Sequence, residues 1–195
     1  MIRKGFVIES ERTKSRVEVL EGTEETQGWG WLLEVTCQVG STSAVSEHYH
    51  KDWTEVFEIV TGTAWYQLDG IRKSARAGEL FTVNPGHAHL HPWNAGETVM
   101  VYRQRDRFGR QSPDAVRDVL GALATMNGLY REGKSTPEGY PKNRLQLAAC
   151  LRLLVKHGGY STAVPEAKQD SVARTLGGIA GLLGFKGAYP RFTAD

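Results

Sequence analysis

His48-Tyr49-His50 sets two imidazoles at positions i and i+2, and Glu55 follows after the spacer 51–54. In an extended strand, residues two apart point to the same face, so the pair can offer two nitrogens to one ion. The spacer is short enough for a hairpin connection that returns Glu55 beside the pair. His89 comes three residues after Gly86 in the run Asn84-Pro85-Gly86-His87-Ala88-His89, where Pro-Gly turns the chain into another strand and a third imidazole becomes available. Three nitrogens and one carboxylate leave about two positions of an octahedron open, a set that suits Fe(II), Mn(II), Ni(II) or Co(II) and tolerates Zn(II). Open positions imply chemistry on a ligand, or its capture. With one anionic donor the site stays net positive and favours small molecules that chelate through an enolate, a diol or a carboxylate oxygen pair.

A single histidine on a strand is more often a surface or core residue than a ligand, so the clustering matters. Five of the six histidines, His48, His50, His87, His89 and His91, lie between positions 48 and 91, and His157 stands apart. His87 and His91 share strand parity with His89, so alternation alone leaves open which of them joins the site. The turn frees His87 from strict alternation and favours His89 by spacing. His91 precedes Pro92, which enforces extended backbone, and it reads either as a substrate-facing group or as a buried histidine satisfied by backbone.

These residues resemble the two motifs of the cupin superfamily. His48-x-His50-x4-Glu55-x6-Gly62 matches the first at every ligand position. In the second, Gly78, Gly86 and His89 keep the spacing, while Asn84 stands where the family carries its first proline and Asn94 falls one residue late. The resemblance spans roughly residues 30 to 108. It implies a mainly β fold, the double-stranded β-helix or jelly-roll barrel, with His48, His50, Glu55 and His89 as metal ligands. It also implies a metal-dependent protein acting on a small molecule, foremost a non-haem iron dioxygenase. The alternatives are a metal-dependent lyase or isomerase, or a non-enzymatic small-molecule-binding cupin. No catalytic residue is assigned.

The elements that must position these groups are legible as alternation. Strands are expected over residues 4–9, 16–20 and 29–39, where Leu33, Val35 and Cys37 alternate with polar residues, then over 55–60, 63–68 and 99–103. Asp69-Gly70 between apolar alternating runs is a hairpin signal. Parity with Glu55 places Phe57 and Ile59 inside. Tyr66, His91 and Trp93 are candidates for the substrate pocket, with Trp53 beside them, although each aromatic is more often simple core.

Beyond residue 108 the pattern changes to helical spacing. Ser112 and Pro113 open a first helix that runs to Gly133, a second covers about residues 142–157, and a third about 165–183. The division expected is a barrel domain, 1–108, and a helical extension, 109–195, of about three helices packed on the barrel or in a homodimer interface. The third helix carries an apolar stretch, 176–185, about half the roughly 20 residues that cross a bilayer. Gly177 and Gly181 within it suit close helix packing. Gly133-Lys134-Ser135 lacks the upstream glycine and strand of a phosphate-binding loop.

Composition narrows the classes. A net charge of +2, spread along the chain, gives nucleic acid binding no electrostatic support. Cys37 and Cys150 define no disulfide framework. The opening residues show no apolar signal segment, so the cytoplasm is the expected compartment and no membrane association is expected.

Overall fold

Alternating apolar and polar residues between positions 7 and 108 fold into antiparallel strands in the computed structural model, which describes residues 2–193. They are β1 (Val7–Ser10), β2 (Ser15–Glu21), β3 (Gly30–Cys37), β4 (His48–His50), β5 (Trp53–Thr61), β6 (Thr63–Leu68), β7 (Ile71–Arg76), β8 (Leu80–Val83), β9 (His89–Asn94) and β10 (Met100–Phe108). A short helix α1 (Thr23–Thr26) joins β2 to β3. One sheet runs β1-β2-β3-β10-β5-β8. In the other, β4, β9, β6 and β7 are successive neighbours. This is the mainly β jelly-roll barrel that the motifs imply, and it occupies one compact unit, residues 3–113.

Strand parity decides what enters the core. β5 buries Trp53, Glu55, Phe57 and Ile59 in one row, and β10 buries Met100, Tyr102, Gln104, Asp106 and Phe108 in another. Three of these buried residues are acids or amides. An unpaired buried charge costs several kcal/mol, so their placement in an apolar row needs partners. Two turns hold the rows in register. Asp69 (φ 51°) and Gly70 (φ 76°) make the tight turn between β6 and β7 with both residues left-handed, as the Asp-Gly signal predicts. Gly62 has φ +80°, and a Cβ there would stand 3.1 Å from the Met100 Cα. Only glycine meets both conditions cheaply.

A second unit begins at Asp114. A π-helical turn, Val116–Leu120, runs into α2 (Gly121–Arg131), followed by α3 (Arg144–Lys156), β11 (Gly159–Ser161), α4 (Glu166–Leu182) and α5 (Pro190–Thr193). The first helix starts later than Ser112 and Pro113 predict. The Ser112 amide donates to the Gly28 carbonyl at 2.7 Å, which ties it into the loop after α1 instead of a helix start. Asn143 caps α3, its side chain accepting from the Leu145 and Gln146 amides at 2.9 and 3.1 Å. Gly177 does allow close packing, since a Cβ there would lie 3.0 Å from the Ala148 carbonyl, whereas Gly181 faces open space. α1, β7, β11 and α5 have too few periodic residues to be seen in sequence. Among the described residues, no helix is long and apolar enough to cross a membrane.

Candidate metal centre

Three short strands and one turn assemble the site. β4 and β9 pair antiparallel with His48 opposite His89, which brings their rings to 4.3 Å between centroids. His91, two residues along β9, lies on the same face with its ring nearly parallel to that of His89 at 5.5 Å. β5 delivers Glu55 from the other sheet, opposite Asp106 of β10 and Val83 of β8. His48, Glu55, His89 and His91 each offer one donor atom, and all four atoms lie within 4.8 Å of one another. Donors on opposite sides of an ion bound at about 2.1 Å stand about 4.2 Å apart, so a small contraction fits the set to one metal.

Of the ligands read from sequence, His48, Glu55 and His89 are in this group, and His50 flanks it. The His50 ring stacks on Trp53 at 4.1 Å, and its Nδ1 lies 3.4 Å from Glu55 Oε2. His91, read as substrate-facing or as a buried histidine, has its donor atom among the four because it keeps parity with His89. His87 is settled differently. It stays half exposed, paired through Nδ1 with Asp69 Oδ2 at 2.7 Å.

Outer contacts aim the donors. His48 Nδ1 lies 2.9 Å from the Ser46 carbonyl and His89 Nδ1 lies 3.0 Å from the His87 carbonyl. A carbonyl only accepts, so each Nδ1 carries the hydrogen and each Nε2 presents a lone pair. Gln104 Nε2 donates to Glu55 Oε1 and to Asp106 Oδ1, both at 2.9 Å. Glu55 Oε2 is left toward the imidazoles, 2.6 Å from His89 Nε2. Glu55 Oε2, His89 Nε2 and His91 Nε2 are buried without a partner in hydrogen-bonding geometry. Buried polar atoms are nearly always satisfied, and a cation would give all three a partner.

The charge states suit that role. Burial pushes the Glu55 pKa up, but the close imidazoles of His50, His89 and His91 outweigh it, so the carboxyl is held well below its ordinary range. Burial, with the neighbouring imidazoles, pushes His48 well down, and burial lowers His91 as well. Burial also opposes charge on His89, yet the Glu55 carboxylate beside it raises its pKa. Burial, and then Glu55, push Asp106 well above the usual carboxyl range, the opposite direction to Glu55 itself.

The sequence profile of the family described as Cupin domain matches residues 33–102. That stretch of the barrel is a cupin domain. No curated protein matches the chain. Solved structures similar to it include a predicted oxalate decarboxylase from Thermotoga maritima, 19% identical, covering 55% of this chain and 99% of that one, with a TM-score of 0.46. An RmlC-like cupin from Shewanella frigidimarina is 18% identical, covering 55% and 86%, with a TM-score of 0.44. A cupin-superfamily sugar phosphate isomerase from Silicibacter pomeroyi is 15% identical, covering 54% and 69%, with a TM-score of 0.43.

The remaining pocket candidates of the cupin separate. Tyr66 is buried and stacks on Phe81 at 3.8 Å; Phe81 stacks on Phe57 at 5.0 Å, and Phe57 lies 5.3 Å from His91. Tyr66 is thus two rings removed from the donors. Trp93 is not brought to them. A register shift between β6 and β9 pairs Trp93 with the exposed Trp65 and turns it to the outer face, while Asn94 pairs with buried Ala64. One extra residue in a strand reverses parity beyond it, and Pro92 lies in that irregular stretch. Sequence reading missed Gln104 and Asp106. Their signal was present as two polar residues at the inward positions of an otherwise apolar row.

Proposed function

We propose that this cupin holds a divalent metal, drawn from Fe, Mn, Ni, Co and Zn, through His48, Glu55, His89 and His91, and acts with it on a small chelating molecule by dioxygen-dependent oxidation. The observation that carries the reading is the convergence of four donor atoms, three of them buried orphans. A metal held there supplies Lewis acidity toward a chelated oxygen and, as iron, a route for electrons to dioxygen. The chain supplies the rest. Gln104 donates to Glu55 Oε1 and so orients the carboxylate, with Oε2 toward His89 and Oε1 toward His91. The Ser46 and His87 carbonyls fix two imidazole tautomers. Trp53, stacked on His50, and Phe57, beside His91, exclude water from two sides.

Asp106 favours a second reading. Its buried carboxyl shares Gln104 with Glu55, next to the donors, a position from which a side chain can give or take a proton, the work of a metal-dependent lyase or isomerase. Anaerobic reconstitution with Fe(II), followed by dioxygen uptake across catechols, β-diketones and thiol acids, tests the first. Deuterium incorporation from heavy water without dioxygen tests the second. Ligand-induced stabilisation with neither would leave a small-molecule-binding protein. The reading includes a cytoplasmic homodimer, supported by the exposed Leu176, Ile179, Leu182 and Leu183 along α4 and just past its end, and light scattering would measure the assembly.

A further inference from the structure

A metal satisfies some of the barrel's orphaned polar atoms but not all. Glu55 Oε2, His89 Nε2 and His91 Nε2 gain a partner when the ion binds. Trp31 Nε1 and Asp106 Oδ2 are also orphaned, but Trp31 and Asp106 are register partners on β3 and β10, so each lies beside a group able to satisfy it. The Tyr102 hydroxyl remains. It is buried on a side chain with 0% exposure, lacks a partner, and is not among the converging donor atoms.

Its position is next to the cluster. Tyr102 stands on the inward row of β10, two residues before Gln104, whose amide holds Glu55 Oε1. Two residues along a strand span about 7 Å. The Tyr102 ring lies 5.9 Å from Phe57, and Phe57 lies 5.3 Å from His91. The register partners of Tyr102 on the flanking strands, Val35 and Ile59, are apolar, its ring neighbour is Phe57, and no hydrogen bond reaches the hydroxyl. A buried hydroxyl in such surroundings needs an acceptor brought in from outside.

We propose that Tyr102 reads the ligand of this site, donating its hydroxyl to an outer oxygen of a small oxyacid whose inner oxygens are held at the His48, Glu55, His89 and His91 cluster. This deepens, and rests on, the metal-binding reading. The selected class is short chelating acids that carry an acceptor oxygen outside the chelate ring, in preference to chelators of the same skeleton with an apolar rim. Burial, with Cys37, Glu55 and Asp106 nearby, raises the phenol's pKa well above its ordinary value, so it stays a donor across the working range.

Malonate and acetylacetonate separate the alternatives. Both chelate through two oxygens of one three-carbon skeleton, but malonate has outer oxygens where acetylacetonate has methyl groups. The full chain loaded with Co(II) is titrated with each, following the visible cobalt bands. The Tyr102→Phe variant should bind malonate about tenfold more weakly, with acetylacetonate and Co(II) affinities unchanged. Equal losses for both ligands, or no loss for either, overturn the proposal. If the wild-type chain takes up no Co(II), the metal reading falls and this one with it, a result distinct from failure at Tyr102 alone. A second measurement needs no variant. In Zn(II)-loaded wild-type protein carrying ζ-carbon-labelled tyrosine, malonate should shift one tyrosine resonance and acetylacetonate none; identical spectra with both overturn the assignment.

Discussion

Glu55 shows how one buried side chain sets the chemistry of its neighbours. Its charge raises His89 and Asp106, and its oxygens divide labour, one held by Gln104 and one turned to the imidazoles. Three residues of the motif, His48, Glu55 and His89, converge as their spacing predicts, while the fourth converging donor is His91, read as substrate-facing or as a buried histidine, and not His50, read as a ligand. His91 sits in the donor group and His50 lies stacked on Trp53 beside it. Titration of Co(II) into His91→Ala should therefore show an affinity loss of about 100-fold or more, and His50→Ala the smaller loss of about tenfold typical of a group outside the coordination sphere. The reverse order would return His50 to the ligand set.

At the scale of elements, turns and helix ends carry the testable strain. Gly62 closes β5 with φ +80° and a close approach to Met100. Gly62→Ala forces both a left-handed alanine and a displaced neighbour, so urea unfolding should show a loss of about 1–3 kcal/mol. In the helical unit, Asp118 of the π-helical turn accepts from His157 Nε2 at 2.9 Å, Lys156 Nζ at 2.7 Å and the Arg117 guanidinium at 2.9 and 3.0 Å. Burial opposes its ionisation, yet the hydrogen bonds from these three residues hold its carboxyl well below the ordinary carboxylate range. The folded pKa is depressed, so the contribution is complete above the unfolded value of about 4 and is lost as pH falls toward the folded one. Asp118→Asn should cost about 3 kcal/mol near neutrality. It should also flatten the acid limb of a stability-against-pH curve, and an unchanged limb would remove Asp118 from that role.

For the whole molecule, metal and folding are linked. A metal that binds only the folded barrel at a hundred times its Kd adds about 2.7 kcal/mol, so the unfolding midpoint followed by tryptophan fluorescence should rise by about 5–10 °C and fall again with chelator. Tryptophans report the barrel selectively, because all five lie between positions 29 and 93. The barrel, the Asp-Gly hairpin and three of the four donors were written in local chemistry: period-two alternation, a turn that needs left-handed residues, and imidazoles on one face of a strand are properties of a few consecutive residues. What lay outside that reach depended on other strands. Trp93 turned outward because a register shift with β6 reversed its parity, and Ser112 left its helix because Gly28 took its amide. His91 entered the donor group, Gln104 took one oxygen of Glu55, and Tyr102 came to rest unpaired in the wall, because those relations are distances between segments far apart in the chain. Local spacing determined which residues could form a metal centre. Only the closure of two sheets decided which of them meet, since convergence in space has no signature in the order of residues.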